Sequence, residues 1–389
     1  MSKHDHPPRR KGSRGRERAL LVQVTLPGSD RDAACDSLAE LERLGHTAGI
    51  DVIGSITQRR SRFNPSLCIG EGKLSDIQLA CRQGDANVVI FNNELSPVQV
   101  NNLDLSLGIS VIDRTELILQ IFARRARSAE AQVQVELAQL EYLVSRIPVS
   151  AKQQRFQGGI GMRGPGESPF RMRNAPMRRR ITYLKKKIDR IQGQRRRTRQ
   201  QRRWPLVALV GYTNAGKSTL LNAFSKADAY VDDRLFATLD TKTRLVRIAA
   251  DRDVLVTDTV GFIRDLPHGL IASFRSTLEE VAEADLLLHV ADAGHPYTED
   301  HCRIVDATLK EIGAGEVPSL FLLNKCDRAA GREAMSALCD HYPHALRASA
   351  LTGDGLDCVA ARIDAVLSAQ GRTRRDNAPA WRCRKHIFE

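Results

Sequence analysis

Apolar and polar positions over residues 20–125 alternate between two periods. LLVQVTL (20–26) is β-branched and apolar and stops at Pro27-Gly28, which predicts a strand closed by a turn. Leu38, Leu41 and Leu44 then fall on one helical face. A strand follows around 50–56, a helix from Ser75 and a strand at 88–91. Ser96-Pro97 predicts the start of the next helix, because serine caps a helix N-terminus and proline suits its first turn. The run 109–112 predicts a short strand, and a further helix opens at Thr115. Strands and helices alternating at these lengths predict a small parallel sheet with crossover helices, placed at 20–125.

The pattern then changes to heptads. Val133, Leu137, Leu140, Val144 and Ile147 are spaced 4, 3, 4, 3 and stop at Pro148. Ile181, Leu184, Ile188 and Ile191 follow at 3, 4, 3. Two such seams predict an antiparallel helical hairpin over 126–203 in which each arm buries the other's stripe. Packing alone accounts for the stripes. Between them, GGIGMRGPGES (158–168) has five glycines and no periodicity, so it reads as a loop that is flexible or folded around a ligand.

Composition narrows the class. Hydrophobic residues make up 42% of 389, which fits a globular protein with two or three cores. The sequence has no apolar run long enough to span a membrane, and its polar start is not a secretory signal. Eight cysteines without a CxxC pair argue against a zinc ribbon or disulfide scaffold and predict a cytoplasmic protein. The net charge of +13 is concentrated in two places. Residues 171–203 hold fifteen Lys/Arg against one acid and residues 1–20 hold seven against two, while 21–170 and 204–389 are mildly acidic. Fifteen like charges on one arm repel each other, and contact with a polyanion relieves that repulsion with release of counterions. The arm is therefore expected to touch RNA; Gly72, Lys73, Arg59 and Arg60 are weaker candidates.

From 204 to 370 the candidate chemistry is a nucleotide site. An apolar strand at 206–210 runs into Gly211-Tyr212-Thr213-Asn214-Ala215-Gly216-Lys217-Ser218, and a helix opens at Thr219. This is a P-loop in strand–loop–helix context: its backbone N–H groups and the helix N-terminus suit phosphate oxygens. Lys217 is expected on the β- and γ-phosphates and Ser218 on Mg²⁺. Asp258-Thr259-Val260-Gly261 ends a strand at 254–257; Asp258 would hold Mg²⁺ through water, and Gly261 would offer its N–H to the γ-phosphate. Asn324-Lys325-Cys326-Asp327 follows a strand at 320–323, and its carboxylate can accept from guanine N1–H and the 2-amino group together, which adenine cannot match. Ser349-Ala350-Leu351 would turn a backbone N–H to guanine O6. These motifs, in this order, predict binding of GTP and GDP.

Between the P-loop and Asp258, Leu235-Phe236-Ala237-Thr238-Leu239-Asp240 reads as a loop that closes on the nucleotide. Thr238 is the expected second Mg²⁺ ligand, with Thr241 and Thr243 as rivals. Lys217, Thr238 and Gly261 are the expected catalytic groups. Where Ras-like switches carry a water-orienting Gln after DxxG, this chain has Phe262, so unassisted hydrolysis should be slow. Asn214 either seats a potassium ion in place of an arginine finger or only shapes the loop.

With these residues in view, the chain resembles the HflX family of GTPases. The resemblance rests on IGEGK (69–73), ELSPVQVNNL (94–103), VIDRTELILQIFARRA (111–126), QVELAQLEYL (134–143), GGIGMRGPGE (158–167), LFATLD (235–240) and DTVGFIRDLPHGLIASFRSTLEE (258–280). It implies an α/β protein: a basic tail (1–19), a small parallel α/β N-terminal domain (20–125), an antiparallel helical hairpin (126–203), a P-loop Ras-like G domain (204–370) and a short tail (371–389). It also implies a monomer bound to the large ribosomal subunit and its RNA, GTP hydrolysis stimulated there, splitting of stalled ribosomes under stress, and a cytoplasmic location with peripheral membrane association. A ribosome-assembly GTPase of the Obg or Era kind, or a GTP-regulated RNA-binding protein without catalysis, are the alternatives. One stretch departs from the family pattern: after GPGE, Arg171 and Arg173 stand where acids are usual, and Pro176 is expected to interrupt a helix.

Overall fold

The computed structural model describes residues 17–146, 169–200, 202–225, 235–236, 238, 240–265, 275–328 and 342–371. Residues 17–121, 143–146 and 169–173 belong to one compact unit; Phe122–Tyr142 and the described residues from Asn174 onward belong to the other.

In the first unit, β1 (Arg18–Thr25), α1 (Arg31–Thr47), β2 (Asp51–Arg59), α2 (Glu71–Gly84), β3 (Val88–Phe91), α3 (Pro97–Leu107), β4 (Ser110–Asp113) and α4 (Arg114–Arg125) alternate along the chain. The strands form one sheet in the order β2-β1-β3-β4, parallel at every pairing. β1 is apolar on both faces from Ala19 to Val22 because helices cover both faces of such a sheet; those four residues are all buried. Ser96 caps α3 in a full capping box with Gln99, and Pro97 sits in the first turn.

The helix expected from Ser75 begins earlier, at Glu71, so the GEGK segment is helical and not a free turn. Its N-cap is Gly70, whose N–H donates to Gln58 Oε1 at 2.9 Å. A Cβ at Gly70 would lie 2.7 Å from Arg60 Nη1, so a larger residue there would displace the end of that arginine side chain. Lys73 pairs with Asp76 at 2.8 Å on the first turns of that helix.

The heptad segments are α5 (Ala129–Ser145) and α6 (Pro169–Gln200). Val133, Leu137, Leu184 and Ile188 form one buried cluster, with Leu140 and Ile181 packed against it. Glu136 pairs with Arg180 at 2.7 Å and Glu141 with Lys185 at 2.8 Å. In heptad terms these are g with g and e with e, the flanking pairs of an antiparallel seam. Ile147, Pro148 and the glycine-rich 158–168 lie outside the described residues. Pro176 does not interrupt the helix: α6 runs through it from Pro169. Proline removes one backbone donor and strains the preceding turn, but a long helix held by a seam farther along can continue past that defect.

The second sheet has the order β10-β9-β8-β5-β7-β6, built from β5 (Leu206–Val210), β6 (Lys242–Ala249), β7 (Arg252–Asp258), β8 (Leu286–Asp292), β9 (Ser319–Asn324) and β10 (Leu346–Arg347). β6 is antiparallel to β7; the other pairings are parallel. Its described helices are α7 (Lys217–Ser225), α8 (Arg275–Ala282), α9 (Thr298–Glu311) and α10 (Leu356–Ala369). The apolar faces of β5, β7, β8 and β9 meet α7 and α10 in one core around Leu209, Leu220, Val256, Leu288, Leu322 and Ile363. The loops after β5, β7 and β9 carry the three motifs, so parallel pairing brings GYTNAGKS, DTVG and NKCD to one edge of the sheet. No described helix is long and apolar enough to cross a membrane.

Candidate nucleotide-binding site

The P-loop is closed by backbone and by proximity. Thr213 N–H donates to the Phe262 carbonyl at 2.8 Å, and Phe262 N–H donates to the Gly211 carbonyl at 3.2 Å, so the loops after β5 and β7 are locked together. Gly261 lies between them: a Cβ there would be 2.8 Å from Thr213 Cα and 3.1 Å from Lys217 Nζ. Gly216 has φ +92°, and its Cβ would meet Asn324 Nδ2 at 2.3 Å. Gly261 is required by the P-loop backbone packed against it, and Gly216 by its positive φ together with the Asn324 amide.

Lys217 opens α7 and is buried, its ammonium donating to the carbonyls of Gly211 at 3.0 Å and Tyr212 at 2.8 Å. Burial lowers its pKa from 10.5 to about 8 against the opposing pull of Asp258. A cation in this setting gains from an anion at the loop.

Three oxygen groups converge beside it. Ser218 Oγ donates to Asp258 Oδ2 at 2.6 Å, Thr238 Oγ1 donates to the same oxygen at 2.8 Å, and the two hydroxyls are 2.8 Å apart. Asp258 is fully buried and its Oδ1 has no hydrogen-bond partner. Two hydroxyls and a carboxylate with an unsatisfied oxygen form a hard-oxygen donor set, which fits Mg²⁺. The Thr213 hydroxyl, also buried, is likewise without a partner. Thr238 is thus the loop threonine that reaches this cluster; its rival Thr243 bonds Thr257 across β6 and β7 at 3.0 Å.

The NKCD and SAL segments form a second cluster. Asn324 Nδ2 donates to the Ala215 carbonyl at 2.9 Å, and Asn324 Oδ1 accepts from Ala350 N–H at 3.0 Å, so one side chain joins the P-loop to the SAL loop. Ser349 Oγ donates to Asp327 Oδ1 at 2.6 Å, which orients the carboxylate. Lys325, at φ 64°, reaches the Asn214 carbonyl at 2.6 Å and Asp292 Oδ2 at 2.8 Å. Leu351 is 80% exposed beside them.

Other expected residues have roles of a different kind. Asn214 is exposed at φ 59°, a left-handed conformation that asparagine tolerates. Thr259 Oγ1 donates to the Leu209 carbonyl at 2.7 Å, and Val260 is buried. Phe262 is buried, its backbone bonding the P-loop. Phe236 is buried at φ 54° against Phe122, ring centroids 4.7 Å apart. The Asp240 carboxylate accepts from the backbone N–H groups of Arg127 and Ser128, both at 3.1 Å, and from Ser128 Oγ. Ala237 and Leu239 lie outside the described residues.

Sequence reading missed Asp292, Ser128 and His301. Asp292 ends the apolar strand β8 and grips Lys325; a carboxylate closing a buried parallel strand was the available signal. Ser128 precedes a helical stripe, the usual signature of an N-cap. His301 stacks on the P-loop Tyr212 at 3.7 Å with parallel rings, and nothing local to α9 announces it.

Comparison with known proteins agrees with this geometry. Three family descriptions match in order: "GTP-binding GTPase N-terminal" over 35–123, "GTP-binding GTPase Middle Region" over 125–202 and "50S ribosome-binding GTPase" over 206–325. The chain is 46% identical to the GTPase HflX of Caldanaerobacter subterraneus over 319 residues, 81% of this chain and 74% of that one. It is 41% identical to the GTPase HflX of Escherichia coli, over 87% of this chain and 80% of that one. A solved GTP-binding protein from Sulfolobus solfataricus in complex with GDP aligns at 24% identity and TM-score 0.47, over 91% of this chain and 99% of that one. The chain belongs to the HflX family of GTPases; it is a GTP-binding P-loop GTPase.

Proposed function

We propose that this HflX-family GTPase docks on the large ribosomal subunit in its GTP state, splits or rescues stalled ribosomes under stress, and is released by hydrolysis. The observation that carries the nucleotide part is the convergence of Ser218, Thr238 and the half-satisfied Asp258 beside the buried Lys217. Lys217 neutralises the β- and γ-phosphates, and the Gly261 N–H meets the γ-phosphate. Ser218, Thr238 and Asp258 are the residues that would hold Mg²⁺. Bound there, Mg²⁺ neutralises charge that develops on the phosphate oxygens. Asp327, oriented by Ser349, accepts from the guanine edge, and Asn324 keeps the base loop against the P-loop. Thr238 reports the γ-phosphate, so its loop is the switch.

The chain supplies no water-orienting side chain at Phe262, whose ring is buried. Hydrolysis therefore waits on a partner, and the ribosome is the partner this reading favours. Its family's description names the 50S particle, and α6 presents exposed Arg178, Arg179, Lys186, Lys187 and Arg190 along one arm. Tyr183, 55% exposed with the Arg180 guanidinium 5.3 Å from its ring, adds a stacking surface suited to RNA. Asp85 and the acids of 21–170 leave the N-terminal unit mildly acidic, so the arm carries the electrostatic attraction.

The test pairs base choice with the ribosome. Purified large subunits should raise GTP hydrolysis by the native chain, with the gain shrinking steeply as salt rises, and whole ribosomes should separate into subunits on a sucrose gradient. Asp327→Asn should lose GTP affinity by roughly 100-fold and recover ribosome-stimulated turnover with xanthosine triphosphate. Unchanged GTP affinity in Asp327→Asn would overturn the base reader. Association with immature particles alone would favour an assembly GTPase, and no stimulation by ribosomes would favour a GTP-regulated RNA-binding protein.

A further inference from the structure

The loop bearing Thr238 is anchored on both sides to the junction between α4 and α5. Two residues before Thr238, Phe236 packs its buried ring edge-on against Phe122. Two residues after it, the Asp240 carboxylate takes the N–H groups of Arg127 and Ser128 at 3.1 Å on Oδ2 and the Ser128 hydroxyl on Oδ1. Ser128 Oγ in turn accepts from Ala131 N–H at 3.1 Å, which makes Ser128 the N-cap of α5. A carboxylate at a helix N-terminus is also favoured by the helix dipole. Asp240 thus sits where the seam-bearing helix begins, and its carboxylate faces that helix rather than the phosphate loop.

We propose that Asp240 is a positioning residue for GTP hydrolysis: by binding the N-terminus of α5 it fixes Thr238 on Ser218 and Asp258. The inference rests on the reading of Thr238 as the group that reports the γ-phosphate. Only the short span from Phe236 to Asp240 separates the two anchors, so Thr238 cannot leave Asp258 without straining one of them. The coupling works in both directions, as any linkage must. Loss of the γ-phosphate contact loosens the α5 cap, and a partner that tilts α5 shifts Thr238. A ribosome gripping the hairpin arm therefore has a direct route to the catalytic threonine. Distance along the chain hides the link, since Ser128 and Asp240 are 112 residues apart.

The test uses the full chain and reads GTP and GDP separately, because only the triphosphate engages Thr238. Asp240→Ala should lower kcat for GTP by roughly tenfold, the scale of losing hydrogen bonds to a charged group. GDP affinity should stay within about twofold, since the diphosphate does not reach the threonine. Thr238→Ala/Asp240→Ala should be no slower than Thr238→Ala alone, as expected for two residues acting as one unit. Asp240→Asn, which keeps an acceptor oxygen, should recover part of the rate. If Asp240→Ala melts early, Ser128→Ala takes its place, removing one donor and lowering kcat by roughly threefold. Parallel loss of GDP affinity, multiplicative defects in the double variant, or a native rate in Asp240→Ala while Thr238→Ala is slow would each overturn the inference alone. A native rate in Thr238→Ala would overturn the reading of Thr238 and this inference with it.

Discussion

The molecule contains one parallel sheet and one mostly parallel sheet, and the polar groups at the carboxyl ends of their parallel strands differ in kind. In the four-stranded sheet the carboxylates and amides at that edge are taken up by one another and by two arginines, Arg114 and Arg146, each of which keeps one guanidinium nitrogen buried without a hydrogen bond. Asn93 brackets Val24, donating to its carbonyl at 3.0 Å and accepting its N–H at 2.7 Å. Asn92 donates to Ser37 at 2.9 Å and accepts from Arg114, which also pairs with the buried Glu40. Asp113 accepts from the N–H groups of Leu95 and Glu116 and pairs with Arg146. In the six-stranded sheet, Asp258 Oδ1 and the Thr213 hydroxyl are buried without partners, and Lys217 is a buried cation whose ammonium donates to two backbone carbonyls. Each unsatisfied buried group costs about 1–3 kcal/mol, which a ligand can return. Architecture offers a crevice at both edges, while a left-over carboxylate oxygen and hydroxyl beside a buried ammonium mark the one suited to a cation and a phosphate.

The largest test of this contrast removes the cation. Lys217→Ala should lower GTP turnover by about 1,000-fold or more, the scale seen when charge stabilisation is removed from phosphoryl transfer. Retained turnover would mean that the open edge is not the catalytic one. Next, Glu40→Ala breaks the sealed edge and leaves Arg114 buried without that carboxylate. It should cost about 3–5 kcal/mol in urea unfolding of the N-terminal unit, with GTP affinity unchanged. A large loss of GTP affinity would show that this edge also serves the nucleotide.

The smallest effect is on pH. Burial holds Lys217 at about 8 instead of 10.5. Below about 8 the folded chain bears the cost of a buried ammonium. Between about 8 and 10.5 it has released that proton while the unfolded chain retains it, so this group makes stability rise with pH across that window. Phosphate binding has the opposite slope, because it needs the ammonium. GTP affinity should fall by up to about tenfold per pH unit above about 8, with proton uptake on binding measured by calorimetry in buffers of different ionisation enthalpy. A flat profile with no proton uptake would mean that the lysine is not desolvated in solution.

Much of the molecule is legible in sequence because its signals are local. Ser96-Pro97 specifies its own cap, the seam residues Val133, Leu137, Leu184 and Ile188 follow heptad spacing, and a P-loop needs only its glycines, its lysine and its flanking strand and helix. The start of α2 escapes local reading because its N-cap, Gly70, has no capping side chain and is held instead by Gln58 on the neighbouring strand. Pro176 suggests a break that does not occur, since local propensity says nothing of seam contacts a few turns away. Asp240 reads as a nucleotide contact because it lies two residues from Thr238, yet its side chain is held by a helix remote in sequence.

Spacing within a few residues is enough to set the order of elements and to mark the chain as a GTP-binding P-loop GTPase, because those signals are local. Only the tertiary structure decided which threonine joins Ser218 on Asp258, which buried oxygens stay unpaired, and that the loop bearing Thr238 is fastened to the start of α5. Those outcomes depend on distances between groups far apart in the chain. Hydrophobic patterning constrains which faces are buried, but not the few ångströms that decide whether two polar groups become partners.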